Sequence, residues 1–539
     1  MTEATPAARG SHGAVASPHF LASAVGLDVL RAGGSAVDVA VATNAALSVV
    51  AAHSCGLGGD AFWLIWDGKR VEALNGSGRS AALATLDGAA AAGLDQMPER
   101  GPWTVTVPGA VRSWGDAHSR HGRLSWRPLF DGALELAAGF PATPGWIEHV
   151  ERSVPIFGTD GDWARTFRPH GRAWRSGETV KLPALMSTLR VIADEGPDSF
   201  YEQSLGRRAA EYLASRGSPV RAADLAAHRS TWADAISVRY RDVTSVSHPP
   251  NSSGPIALEM LALLDRFAAP ERAAFGADGV RDADWIHLGL EAARIGLIDR
   301  DRFLTDPDEA PDMPGRLLDT ARIDDLARQI NRDRASPQVG LAPPNGGGTV
   351  FVAAADAQGT LVSMLESNFR GFGSGLVDPQ TGVAYQNRGS FFSLDPRQAN
   401  VLAPAKRTAH TLTPGMLMRG QRPWMAHGAM GSEIQPQIFA QFVSSVIDGG
   451  LDIATAISAP RWALSLPYRP GDTAKVDFEA GYVAGMPQRL AELGWPVSPT
   501  PPDSWFMGHA HAVEMDEEEG RRVLRAAHDP RSEGAALAW

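Results

Sequence analysis

Gly346-Gly347-Gly348-Thr349-Val350-Phe351-Val352 is the stretch on which the reading of this chain turns. A segment rich in proline and glycine stops at a threonine, and an apolar strand begins there. Threonine is a weak nucleophile unless a base stands beside it, and a freed α-amino group on the same residue can be that base. The ordinary pKa of such an amine, roughly 7.7–8.0, suits proton abstraction near neutral pH. Glycine at 348 leaves its own carbonyl open to attack and tolerates strained backbone angles. The junction therefore reads as a cleavage site between Gly348 and Thr349 that would expose Thr349 as an N-terminal nucleophile. The plainer reading makes Thr349 a β-branched strand residue at a loop-to-strand boundary.

Upstream of the junction, residues 331–348 (NRDRASPQVGLAPPNGGG) lack apolar periodicity and concentrate Pro, Gly, Asn and charge. They read as an exposed, mobile linker. Downstream, residues 349–354 and 361–365 read as strands joined by the turn Asp356-Ala357-Gln358-Gly359. Nearer the start, residues 21–30 and 37–51 have helical spacing, the second so apolar that it must be buried. Gly56-Leu57-Gly58-Gly59 then turns into the buried strand 61–66, with 70–74 as its return. Residues 105–330 read as mostly helical with breaks, including helices over 128–138 and 284–299. A further helix is expected over 437–447, and short strands around 511–515 and 522–526.

With 539 residues the chain exceeds one ordinary core, so two domains or one large layered body are expected. The net charge of −11 and the lack of a basic stripe argue against nucleic acid. One cysteine, Cys55, rules out a disulfide framework and any multi-cysteine zinc site. It sits in a glycine turn with no partner base marked out, and reads as a buried, inert thiol. His509-Ala510-His511 could put two imidazoles on one face of a strand, but the spacing marks out no third metal ligand. No signal-peptide core and no membrane-length apolar run occur, so the expected compartment is the cytoplasm.

A series of motifs runs along the chain. Cys55-Gly56-Leu57-Gly58-Gly59-Asp60 comes first, followed by Thr104-Val105-Thr106-Val107-Pro108-Gly109-Ala110-Val111. His121-Gly122-Arg123-Leu124, Pro249-Pro250-Asn251-Ser252-Ser253-Gly254 and Glu291-Ala292 follow in order. Lys406-Arg407 and Gly431-Ser432 complete the series, around a threonine seven residues before Asp356-x-x-Gly359. This order of motifs resembles the gamma-glutamyltranspeptidase family of N-terminal-nucleophile hydrolases. The resemblance implies an α+β, four-layer αββα body with no metal or organic cofactor. It also implies self-cleavage into a large chain, 1–348, and a small chain, 349–539, that stay associated in one intertwined body, with homo-oligomers possible. By position Thr349 is the nucleophile and Ser367 the second hydroxyl touching it. Met430 and Gly431 fall at the paired backbone N–H groups of the oxyanion hole, which stabilise charge on the attacked oxygen.

The departures from the family narrow the substrate. The family grips an α-ammonium with an aspartate and amides, and an α-carboxylate with an arginine and serines. Here the aspartate position falls on Phe391, the glutamine on Arg388 and the asparagine on Phe369. A phenylalanine cannot satisfy a buried ammonium, and an arginine repels it. The arginine position aligns with Ser77, with Arg79 two residues on, and the paired serines become His410 and Thr411. The pocket has lost its anion and holds cations, Arg79 and Arg388 with His410 beside them. The expectation is an amidohydrolase for a small carboxylate-bearing amide, oxamate-like or glutaryl-type, working through an acyl-threonine. Two alternatives stay open: a glutathione hydrolase or transpeptidase, and an unprocessed pseudoenzyme that binds a small acid.

Overall fold

The Thr349 strand sorts its side chains by parity, as an extended chain must. Val350, Val352 and Ala354 belong to one buried apolar layer, and Phe351, Ala353 and Ala355 to another. A strand buried on both faces needs cover on both, and the chain supplies it with a second sheet on one side and helices on the other. The computed structural model describes residues 5–337, 348–466 and 473–539.

Among the described residues, two seven-stranded sheets face each other. One runs in the order Ala535–Ala538, Gly13–Ser17, Gly348–Asp356, Leu361–Phe369, Asp60–Trp66, Val71–Gly76, Thr231–Asp234. The other runs Ala8–Gly10, Arg521–Ala527, His509–Glu518, Arg422–Met430, Gly415–Arg419, Val243–Ser247, Ile236–Tyr240. Neighbouring strands within each are antiparallel. Phe62, Leu64, Phe351, Leu365, Met416 and Ala426 fill the space between the sheets. Helices Phe20–Arg31 and Ala36–Val50 pack outside the first sheet, and Gly254–Leu264, Ala283–Phe303 and Gln435–Ile447 outside the second. The chain thus adopts the four-layer αββα arrangement, and its first strands interleave with those after Thr349.

Two motifs lock the far end of the Thr349 hairpin. Asp356 Oδ1 accepts from the backbone N–H groups of Gln358 (2.9 Å) and Thr360 (3.1 Å), which closes the turn. Its Oδ2 accepts from Ala36 N (3.0 Å) and from Arg123 Nη2 (2.7 Å), so helix Ala36–Val50 and the His121–Leu124 motif are pinned to the hairpin.

Two expectations need correction. The stretch read as mostly helical contains strands Thr231–Asp234, Ile236–Tyr240 and Val243–Ser247. Thr231–Asp234 and Ile236–Tyr240 are sheet edges, largely exposed or half-buried, so they carry weak apolar patterning. The head of the expected linker is also anchored. Ser336 N donates to Glu291 Oε1 (2.7 Å) and Ala335 N to Leu493 O (2.7 Å). Most of the remainder, residues 338–347, lies outside the described residues.

Candidate active site

Thr349 is buried, and it sits at an irregularity of pairing. Gly348 pairs with Phe369 and Val350 with Glu366, so the register slips between them. Such a bulge re-aims one side chain. The Thr349 hydroxyl donates to Ser367 Oγ at 2.9 Å, and Ser367 Oγ donates to the Gly348 carbonyl oxygen at 2.6 Å. Phe369 N donates back to Ser367 Oγ at 2.8 Å. Ser367 therefore uses one donor and two acceptor sites, the whole capacity of a hydroxyl. The residue before Thr349 must be small. A Cβ on Gly348 would lie 2.7 Å from the His53 carbonyl oxygen and 2.8 Å from Ser54 Cα, both backbone.

The second sheet brings up its own strand ends opposite. Arg422–Met430 ends at Met430, which pairs with His509 at the start of His509–Glu518. Ser363 Oγ donates across the layer to His427 O (3.2 Å), which fixes the Thr349 sheet against this strand. Met430 and Gly431 are buried and stand where the facing strand ends, beside the Thr349 sheet. Ser432, next in line, has a left-handed φ of 51°, an unusual conformation for a serine.

On the Ser367 side of Thr349 lies a buried cluster of charged side chains held by three loops. Asp60 Oδ1 accepts from Gly78 N (3.0 Å) and Gly109 N (3.2 Å). It thereby gathers the glycine turn, the Asn75–Arg79 loop and the Val107–Gly109 segment. The approach is so close that a Cβ on Gly78 would lie 1.5 Å from Val107 O. Asp60 Oδ2 faces His410 Nε2 at 3.4 Å. Burial pushes the Asp60 carboxyl up to about 7, and burial together with Arg388 holds the His410 imidazole well below its ordinary value. The Pro249–Gly254 motif holds the His410 segment from behind. Asn251 Nδ2 donates to Thr408 O (2.7 Å), Ser253 Oγ to His410 O (2.8 Å) and Ser252 Oγ to Leu412 O (2.6 Å).

Arg388 is a cation of this cluster, 1% exposed, and Arg370 lies 4.7 Å over the same Phe369 ring. Its guanidinium lies 3.9 Å over the Phe369 ring, and Nη1 reaches Thr411 Oγ1 at 3.4 Å. Nε and Nη2 are buried without a hydrogen-bond partner. Burial brings its pKa down to about 9, against the pull of Asp60 and Glu433. Phe391 is half-buried, edge-on to Phe369 at 5.6 Å, and backs onto Ile256, Leu304, Met313 and Ala409. Phe369 carries a φ of 73°, a strained angle of the kind that collects at functional sites.

Arg79 is the exception among the expected residues. Its guanidinium is committed to Asp306 (2.8 Å), Asp308 (2.6 Å) and the Ala405 carbonyl (3.0 Å). Asp306 also accepts from Arg407 N (2.7 Å). Arg79 thus fastens the Lys406–Arg407 segment to the Asp306 loop, with Nη1 and Nη2 both engaged. Thr349, Ser367, Arg388, His410, Thr411 and Phe391 gather at one end of the sheets, whereas Arg79 turns to a structural clasp. Asp60 was missed by sequence reasoning. The signal was a carboxylate closing a glycine turn at the mouth of a buried strand, where it must find donors. Cys55 is buried, its thiol against Ala51 O, and burial pushes its pKa up.

Comparison with known proteins agrees with the four-layer fold. The family model for gamma-glutamyltranspeptidase matches residues 22–539. The chain is 36% identical to the glutathione hydrolase-like YwrD proenzyme of Bacillus subtilis, covering 98% of each. It is 35% identical to the oxamate amidohydrolase proenzyme of Klebsiella pneumoniae, covering 98% of this chain and 99% of that protein. Among solved structures, cephalosporin acylase from Bacillus halodurans superposes with a TM-score of 0.90 at 33% identity, over 100% of this chain and 98% of that one.

Proposed function

The chain belongs to the gamma-glutamyltranspeptidase family, and from that premise we propose that it is a self-processing amidohydrolase for small amides that carry a free carboxylate. The observation that carries this reading is Arg388: a buried guanidinium with two donor nitrogens unpartnered, stacked on Phe369 at the end of the strand that carries Ser367. Leaving such donors unmet is costly, and a carboxylate answers both at once through parallel hydrogen bonds. The family's acid for an α-ammonium is replaced by Phe391, so an acyl group with a carboxylate and no ammonium fits. The oxamate amidohydrolase and cephalosporin acylase relatives support the same class.

The steps follow from the hydroxyl chain. In the precursor the Thr349 oxygen attacks the Gly348 carbonyl carbon while Ser367 donates to its oxygen. The bond from that carbon to Thr349 N breaks, the nitrogen takes the proton, and water opens the resulting ester. The freed Thr349 amine then serves as base. It removes the hydroxyl proton as the oxygen attacks the substrate amide, and returns it to the leaving amine. The backbone N–H groups at Met430 and Gly431 are assigned to the oxyanion. Water, activated by the same amine, releases the acid from the acyl-threonine.

The test is a substrate panel on protein whose mass has been checked for the cut before Thr349. Oxamate, a glutaryl anilide and a gamma-glutamyl anilide are compared. The reading expects turnover of the first two classes, dependent on Thr349. Gamma-glutamyl anilide as the best substrate would replace it with the glutathione hydrolase alternative.

A further inference from the structure

The charged cluster lies on the Ser367 side of Thr349, and the sheet order puts a different surface on the other. In the Thr349 sheet, Asp60 starts the strand beyond Leu361–Phe369, on the Ser367 side. On the opposite side of the Thr349 strand, Gly13–Ser17 runs up to His19. In the facing sheet, His509 is the partner of Met430 on that same opposite side. There a continuous series of rings begins. His53 stacks on His149 at 3.9 Å and 13°. His149 meets Trp505 at 4.8 Å, and Trp505 meets His509 at 5.8 Å. Phe506, beside Trp505 at 5.7 Å, is 53% exposed, whereas His509 is 7% exposed. The rings therefore lead from solvent to Met430, and the His53 carbonyl abuts Gly348.

The polar groups of this wall point to a ligand. His509 Nε2 and His53 Nδ1 are buried without a hydrogen-bond partner. Burial holds His149 down to about 4 and His509 to about 3, so the rings are uncharged at neutral pH. The nearest carboxylates are already engaged. Asp529 is held by Arg461, by Arg531 (3.0 Å) and by Ala510 N (2.7 Å). Glu533 is held by Thr143 (2.6 Å) and Gly145 N (2.8 Å). Among the described residues these carboxylates are taken up by other partners, and flat neutral rings meet flat neutral rings well.

We propose that His53, His149, Trp505 and His509 form the subsite for the amine half of the substrate, and that it selects amines bearing a planar ring over ammonia and alkylamines. The proposal rests on the acyl-side reading above, since a carboxylate on Arg388 leaves the amine to cross Thr349 towards the rings.

The experiment holds the acyl group constant as glutaryl and varies the amine: 4-nitroaniline, butylamine, ammonia. Trp505→Ala and His149→Ala should lower kcat/KM for the anilide about fivefold and leave the other two within about twofold. Trp505→Phe should retain most of the anilide activity. Equal losses on all three substrates would overturn the proposal. Saturation-transfer NMR with free 4-nitroaniline gives a readout independent of turnover. Contact is expected in the wild type and lost in Trp505→Ala; no contact, or contact unchanged by the substitution, also overturns it. Failure of the acyl-side reading has a different signature: uncharged acyl groups turn over equally well and Arg388→Ala changes nothing, while 4-nitroaniline still binds.

Discussion

Thr349 and Ser367 meet through their hydroxyls at 2.9 Å, and Ser367 carries the contact on to the Gly348 carbonyl at 2.6 Å. One side chain thus touches both the attacking oxygen and the oxygen that gains charge. Ser367→Ala should slow self-cleavage by about 10²–10³, the usual cost of losing one donor to a developing oxyanion. Intact mass over a time course measures it. Thr349→Ala should remain a single chain throughout. A Ser367→Ala protein cut as fast as wild type would refute the assignment.

Gly348→Ala should fail by crowding rather than by chemistry. The added methyl meets the His53 and Ser54 backbone, which cannot swing aside. Overpacking of this kind costs about 1–3 kcal/mol. Thermal melts of Thr349→Ala with and without Gly348→Ala isolate that cost, because neither chain can cut itself. Equal melting temperatures would show that the backbone yields.

Arg388 and Arg79 should separate cleanly. Arg388→Ala should lower kcat/KM for a carboxylate-bearing amide by about 10- to 100-fold, the worth of a charge-assisted hydrogen bond. Esterifying the substrate carboxylate should reproduce that loss in wild type and add little in the mutant. Arg79→Ala removes the clasp on Asp306 and Asp308. It should lower the melting temperature while leaving KM near wild type. A KM effect at Arg79 larger than at Arg388 would reverse the roles.

Asp60 gives stability a pH dependence of unusual sign for a carboxylate. Burial raises it to about 7, against roughly 3.9 in an unfolded chain. Between those values the folded protein holds a proton that the unfolded chain has lost. The contribution of Asp60 is therefore fully present below about pH 4 and declines as pH rises towards about 7. Asp60→Asn can still accept from Gly78 and Gly109 through its amide oxygen and does not titrate. The melting temperature of wild type minus that of Asp60→Asn should fall between about pH 4.5 and about pH 7.5. A flat or rising difference would contradict the assignment.

Much of this architecture was legible because its signals are local. The strands over 349–354 and 361–365 and the Asp356 turn between them are each contained within a few residues, and they appear where expected. Edge strands such as Thr231–Asp234 were not legible, since an edge half in water need not alternate. Arg388 was reachable only by motif alignment. The ion pairs of Arg79 were not legible because its partners, Asp306 and Asp308, lie over two hundred residues away. The ring wall draws His53, His149, Trp505 and His509 from three distant segments, and no spacing in the chain announces that they meet.

The interleaving of strands has a consequence for how the protein can come apart. In the Thr349 sheet, Gly13–Ser17 lies between Ala535–Ala538 and Gly348–Asp356, and Asp60–Trp66 lies against Leu361–Phe369. If the proposed cut before Thr349 is made, every one of those seams joins two separate polypeptides. Unfolding then releases two molecules where the precursor releases one, and its midpoint becomes dependent on concentration by mass action. Only the uncut chain brings its halves together by tether. Under the proposed cut, tethered assembly would happen once, in the uncut chain, and a cut product that unfolds would have to find its other half by diffusion.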